Sequence, residues 1–202
     1  MTKTAAPMTS GSIWKQMTFF AMPIFLGNLF QQLYNTVDSL IVGNFLGSSA
    51  LAAVSSSGSL IFMLIGFLSG ISAGAGVIVA RFFGAGDEKN LQRAVHTTVA
   101  FGLVAGVLMT GVGVALSPQI LRWMDTPESV MRESVTYLQI YFAGSLGFVM
   151  YNVLVGILQA VGDSRHPLYY LIVSSVINLV LDLLFITGFH TGVGGAAVAT
   201  VI

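Results

Sequence analysis

QMTFFAMPIFLGNLFQQLYNTV, residues 16–37, separates Lys15 from Asp38 without one charged side chain. About 20 apolar residues carry a helix across the hydrocarbon core of a bilayer, so this stretch alone is long enough to span. The apolar pattern continues through Leu40-Ile41-Val42 and Phe45-Leu46, which extends helix 1 over 15–46 and draws Asp38 into it. The rest of the chain has the same texture. Residues 39–80, 94–121, 134–162, 166–181 and 183–202 are also free of charge. Run 39–80 is too long for one helix and breaks at Gly47-Ser48-Ser49. The runs predict helices at 50–81, 92–116, 130–158 and 168–188, and a sixth from about 193 that reaches the chain end at Ile202. The predicted class is an all-α, polytopic membrane bundle with a tail over 1–14 and a six-helix unit over 15–202. Membrane barrels alternate polarity in segments of about ten residues, and these runs do not. Nor does the first run read as a cleaved signal, being too long and lacking a small-residue cleavage site.

Composition agrees. Charged residues make up 8% of 202, against roughly 25% in soluble domains. Apolar residues make up 55% before the 23 glycines are added. That balance excludes a soluble fold, which needs polar cover, and disorder, which needs low hydrophobicity. A net charge of zero argues against a nucleic-acid partner, and zero cysteines exclude a disulfide framework. The bilayer is the implied surrounding.

The basic residues set the direction. Lys3, Lys15, Arg81, Lys89, Arg93 and Arg165 fall on one side, and Arg122 and Arg132 on the other. By the positive-inside rule the N-terminus is cytoplasmic, with loops 84–91 and 159–167 on the same side of a plasma (inner) membrane. Loop 117–129, with Pro118, Trp123 and Pro127, is then external, with Trp123 at the interface.

Asp38 and Asp182 fall inside the predicted spans, while the other charges mark tails, loops or helix ends. Embedded carboxylates are costly and point to ion pathways or proton sites. Both lie about 9–14 Å below the outer end at 1.5 Å per residue, on helices running the same way. Tyr34 precedes Asp38 by four, and Asn178 precedes Asp182 by four, so each pair shares a helix face. Asn28, Gln31, Gln32, Asn35 and Asp38 read as one polar stripe. Opposed, the two faces make a site for a proton or for Na⁺, which takes hard oxygen ligands. A structural network between two helices uses the same residue types.

Other motifs lead nowhere. Gly84-Ala85-Gly86-Asp87 spells the GxGD of intramembrane aspartyl proteases, but Glu88 and Lys89 place it in a charged loop. Gly192-Val-Gly194-Gly-Ala-Ala197 resembles a dinucleotide fingerprint with no strand before it, so close helix packing is expected there and at Gly70, Gly74 and Gly76. His96, His166 and His190 lie apart, without metal-ligand spacing.

Taken together, Pro23-Ile-Phe-Leu-Gly-Asn28-Leu-Phe-Gln31-Gln32-Leu-Tyr34-Asn35-Thr-Val-Asp38, Ala80-Arg81-Phe-Phe-Gly84-Ala-Gly86-Asp87, Gln159-Ala-Val-Gly162-Asp163-Ser-Arg-His-Pro167 and Asn178-Leu-Val-Leu-Asp182 resemble the multidrug and toxic compound extrusion (MATE) family, in order and over essentially the whole chain. The resemblance implies twelve helices in two lobes, of which this chain is the N-terminal one and a C-terminal lobe the partner. It implies a non-enzymatic antiporter that exports small organic, often cationic compounds against H⁺ or Na⁺, with no cofactor besides the coupling ion. It further implies cation coupling at Asp38, Asn178, Asp182 and Thr200, and a substrate cavity at Gln31, Tyr34, Tyr137 and Asn152. Pro23 matches a proline at which helix 1 is proposed to bend. The chain's end within helix 6 then reads as half of a longer transporter. The alternatives are a flippase-like relative on a similar fold and an intramembrane aspartyl enzyme.

Overall fold

A computed structural model describes residues 12–202. Lys3 and most of the predicted tail therefore lie outside the described residues. The described residues form helices without strands: α1 (Ile13–Leu46), α2 (Ser48–Gly84), α3 (Glu88–Trp123), α4 (Glu128–Ala143), α5 (Ser145–Ala160), α6 (Arg165–Leu183), a π turn (Leu184–Gly188) and α7 (Gly192–Val201). Three of these helices are long and apolar enough to cross a membrane, or four if the bent pair α4–α5 is one span. Helix α1, at 34 residues, has the length but not the apolarity, because Asn28, Gln31, Gln32 and Asn35 dilute it. Helix α7 has 10 residues.

Local chemistry sets the joints. Gly47 turns α1 into α2 with φ 89°, a conformation that side-chain-bearing residues avoid. Asp87 caps α3: its carboxylate accepts from the Asn90 backbone N–H at 3.1 Å and from the Asn90 side chain at 2.7 Å. The side-chain bond first, then the backbone bond, hold its carboxyl below the usual range, with Arg93 adding to them. The GxGD-like run is thus a turn and a cap.

Helix α3 is longer at both ends than the predicted 92–116, and the connector expected over 117–129 shrinks to residues 124–127. Pro118 lies inside α3 instead of ending it. A helical proline leaves the carbonyl four residues back without its N–H partner. Here that carbonyl is Val114, and the Gln139 side-chain amide of α4 donates to it at 3.4 Å. A neighbouring helix supplies what the proline removed, as buried backbone at membrane depth requires. Trp123 closes α3 and stands exposed.

The single helix predicted over 130–158 is two helices, bent by 49° about Gly144. Val201 of α7 lies where a Gly144 side chain would stand, so the bend sits where α7 crosses. Predicted helix 168–188 starts at Arg165 and gives way to the π turn after Leu183. Pro167 fits because it occupies the first turn.

Asp163 holds that start. Its Oδ1 accepts from the backbone N–H groups of Arg165 and His166 at 3.2 Å, and its Oδ2 pairs with the His166 ring. Burial raises the Asp163 carboxyl, but the bonds from His166 and Arg165 outweigh it and hold it below the usual range. The stabilisation is therefore present at neutral pH and is lost as pH falls through that depressed value. Asp163→Ala is expected to cost about 1 kcal/mol, the scale of a lost helix cap, and Asp163→Asn only a few tenths. Thermal melting of the detergent-solubilised protein reads both.

Helix α3 packs on α4 and α5, α1 on α6, α2 on α5, and α4 on α7. Hydroxyl pairs cross between helices at Ser56–Ser134 and Thr110–Ser145, each 3.0 Å. Close packing is found at Gly76, 3.4 Å from the Gly156 carbonyl for an added Cβ, and at Gly195. It is not found at Gly70 and Gly74, which face open space on the outer side of α2.

Candidate functional site: a carboxylate pair between four helices

The core cluster around Ile41, Val42, Tyr137, Ile186 and Ala197 joins α1, α4, the π turn and α7. Polar side chains meet beside it. Helix α1 contributes Tyr34 and Asp38, helix α6 Asn178 and Asp182, helix α4 Tyr137 and Tyr141, and helix α7 Thr200. Three of these are pairs at i, i+4, so each helix turns one short polar face inward.

Asp182 is fully buried and Asn178 nearly so, while Asp38 and Tyr34 are half-buried. The two carboxylates stand within direct reach of each other. Yet Asp38 Oδ1, both Asp182 oxygens and both polar atoms of Asn178 are buried without a hydrogen-bond partner. Tyr34 and Tyr137 both lie near Thr200, whose hydroxyl donates to the Ala196 carbonyl at 2.9 Å. Tyr137 also lies within electrostatic range of Asp38, and Tyr34 within range of both carboxylates.

Native proteins leave few buried polar atoms unsatisfied, and such atoms call for an ion, a water or a catalytic role. Two carboxylates, an amide carbonyl and a hydroxyl supply hard oxygen ligands, which suit a proton or a small alkali cation. Two ionised carboxylates side by side in a low dielectric repel strongly, so the pair favours a bound positive charge. Among the described residues no cluster of three or more His, Cys, Asp or Glu forms a metal centre.

The structure thus brings together Asp38, Asp182, Asn178, Thr200, Tyr34 and Tyr137. Gln31 is half-buried one turn before Tyr34, and its amide lies 3.5 Å from Asn35 Oδ1. Asn152 sits on α5, beyond the Gly144 bend, and donates to the Phe148 carbonyl at 2.9 Å. Pro23 lies inside α1, half-buried. The predicted polar stripe divides. Gln31, Tyr34 and Asp38 turn inward, whereas Asn28, Gln32 and Asn35 form an adjacent exposed row. One helix face cannot hold residues at every spacing from three to ten, since each step of 3 or 4 drifts from the 3.6 period. Tyr141 was not anticipated. It is buried, lies within electrostatic range of Tyr34 and Tyr137, and packs at 6.2 Å between ring centroids on Phe148. Its spacing of four from Tyr137 was the available signal.

The described residues thus form a bundle of long apolar helices that encloses a pair of carboxylates. The comparisons name the kind. The MatE family model matches residues 23–184, and the chain belongs to this family of transporters, the multidrug and toxic compound extrusion family. It is 38% identical over 195 residues to the probable multidrug resistance protein YoeA of Bacillus subtilis, covering 95% of this chain and 42% of that protein. It is 28% identical to the probable multidrug resistance protein NorM of Thermotoga maritima, covering 94% and 42%. Among solved structures it resembles a MATE transporter in an outward-facing conformation, with a TM-score of 0.87 at 28% identity and coverage of 95% and 42%. A transporter from Pyrococcus furiosus, described as having a binding pocket of reverse polarity that suggests a different function, matches with a TM-score of 0.88 at 29% identity, covering 95% and 42%. The chain therefore spans less than half the length of the relatives it matches, in keeping with one lobe of two.

Proposed function

We propose that the full-length protein is a cation-coupled antiporter of the plasma membrane, with a cytoplasmic N-terminus, that exports organic, cationic compounds in exchange for H⁺ or Na⁺. This chain is its N-terminal lobe, 15–202, following a short tail, and a second lobe completes the path. The observation that carries the reading is the pair Asp38 and Asp182, facing each other with buried oxygens that no protein group satisfies. A cation arriving there draws in both carboxylates, Asn178 and the Thr200 hydroxyl, and ties α1, α6 and α7 together. When it leaves, like charges push α1 and α6 apart. Cation and drug compete because each favours a different arrangement of these helices, and a ligand shifts such a balance only through unequal affinity. Rocking of two lobes is the general form for repeat-built transporters.

Gln31, Tyr34, Tyr137 and Asn152, with the exposed amides Asn28, Gln32 and Asn35, line the drug path in this proposal. Aromatic rings suit an organic cation. A flippase for anionic lipid-linked precursors fits less well, because the embedded charges here are acidic.

The test is transport. The full-length protein in liposomes is given a cationic aromatic dye such as ethidium under an imposed Na⁺ or pH gradient. One of the two gradients is expected to drive dye against its own concentration gradient. Dye movement indifferent to both would overturn the reading.

A further inference from the structure

The π turn after Asp182 has a consequence for helix α7. In an α-helix the Phe185 carbonyl would accept from the Phe189 N–H. Here the Phe189 N–H goes instead to the Leu184 carbonyl, five residues back, at 3.0 Å. That leaves the Phe185 carbonyl open, and Thr191 takes it twice. Its backbone N–H donates at 3.1 Å and its hydroxyl at 2.8 Å.

Thr191 is the N-cap residue of α7. A threonine there ordinarily turns its side-chain oxygen to the helix's own free N–H groups, which contributes about 1 kcal/mol. Thr191 makes no such bond. Its hydroxyl is directed to the preceding helix instead. A local preference set aside in this way marks a position under another demand. Gly195 is shaped to the arrangement: a Cβ there would run into Thr191 Oγ1 and stand 3.0 Å from Phe185 Cβ.

The consequence is a closed circuit. Asp182 lies three residues before Phe185. Thr191 lies nine residues before Thr200, about 13.5 Å along a helix. Thr200 lies near Tyr34 and Tyr137, which stand within electrostatic range of Asp38, and Asp38 neighbours Asp182. Beside this bond an open groove of about 290 Å³ is lined by Ile140, Phe185, Thr191, Gly195 and Val198 among others. Helix α7 is therefore hydrogen-bonded at its start to the π turn that ends α6, while it packs on α4 along its length.

We propose that Thr191 is a positioning residue that locks the start of α7 to the end of α6, so that α7 follows Asp182 when the carboxylate pair gains or loses its cation. This rests on the coupling role proposed for Asp182. The residue touches neither ion nor drug, and it acts by fixing where Thr200 stands.

The experiment uses the full-length protein in liposomes. Dye efflux is titrated with the driving cation for the wild type, Thr191→Val, Thr191→Ala and Thr191→Ser, each normalised to the amount reconstituted. Thr191→Val keeps the shape and removes the hydroxyl. It is expected to raise the half-saturating cation concentration about fivefold, the scale of one net hydrogen bond. Dye affinity without a gradient is expected to hold. Thr191→Ala should match Thr191→Val, and Thr191→Ser should restore the wild-type value. A Thr191→Val or Thr191→Ala protein with wild-type cation dependence would overturn the proposal. So would a Thr191→Ser protein as impaired as Thr191→Val, since the methyl group and not the bond would then matter. Asp182→Asn in parallel separates the two readings. Loss of coupling in Asp182→Asn with no effect at Thr191 sinks this inference alone. Intact coupling in Asp182→Asn sinks the coupling site itself.

Discussion

Asp182→Asn is expected to abolish cation-driven efflux while making the folded protein more stable. The two effects have one cause. Asp182 is fully buried and both its oxygens lack a partner, a state that mutational data price at about 1–3 kcal/mol per unsatisfied group. Asparagine nearly matches the shape and carries no charge, so it removes the repulsion with Asp38. Breaking a buried ion pair would destabilise, but no basic side chain is paired with Asp182 here. We expect a higher melting temperature for the solubilised variant and a loss of coupled transport of about 100-fold, within the span of known coupling energies. Asp38→Asn should also stop coupling but stabilise less, because Asp38 is only half-buried. The bound cation gives a second readout. Cation at 100 times its dissociation constant stabilises a binding protein by about 2.7 kcal/mol, and this increment should be absent in Asp182→Asn. A variant that transports normally would remove the coupling role. A variant that merely melts lower would show a structural contact in its place.

The sequence made the spans legible because the bilayer imposes a length that water-soluble folds do not. Charge-free runs and the glycine at 47 placed α1 and α2 within a few residues of their observed ends. Periodicity did the same for the inward faces, since Tyr34–Asp38 and Asn178–Asp182 needed only the four-residue repeat. What stayed hidden depended on partners far away in sequence. Pro118 read as a helix end because the group that rescues it, the Gln139 amide, is on another helix. Gly144 looked like any other small residue, and only the crossing of α7 makes it a bend. The π turn depends on where the Phe185 carbonyl finds a donor, and that donor is six residues on. Tyr137 is marked only by the family resemblance, and Tyr141 carries no mark because a tyrosine in an apolar run reads equally well as a core residue.

Glycines of α3 should behave oppositely according to the face they occupy. Gly102, Gly106 and Gly113 lie on the buried side. A Cβ at Gly106 would stand 2.6 Å from Leu146 Cδ1 and 3.1 Å from the Leu146 Cα, so backbone as well as side chain must yield. At Gly113 it would enter the Phe142 ring, and at Gly102 it would lie 2.9 Å from Val153. Helices in lipid gain little from apolar burial against each other, so close contact of this kind does much of the holding. Forcing one methyl group in costs about 1–3 kcal/mol in packed cores. Gly106→Ala should therefore lower the melting temperature, and Gly106→Val should reduce the amount of folded protein recovered from the membrane. Gly111, on the same helix, is exposed with nothing within 4 Å of an added Cβ. Gly111→Ala removes only backbone freedom and is expected to stabilise by up to about 1 kcal/mol. Equal melting temperatures for Gly106→Ala and Gly111→Ala would contradict the close approach of α3 to α5. Opposite signs would establish that this glycine row sets the distance between α3 and the bent pair α4–α5, and through the bend the place where α7 and Thr200 come to rest.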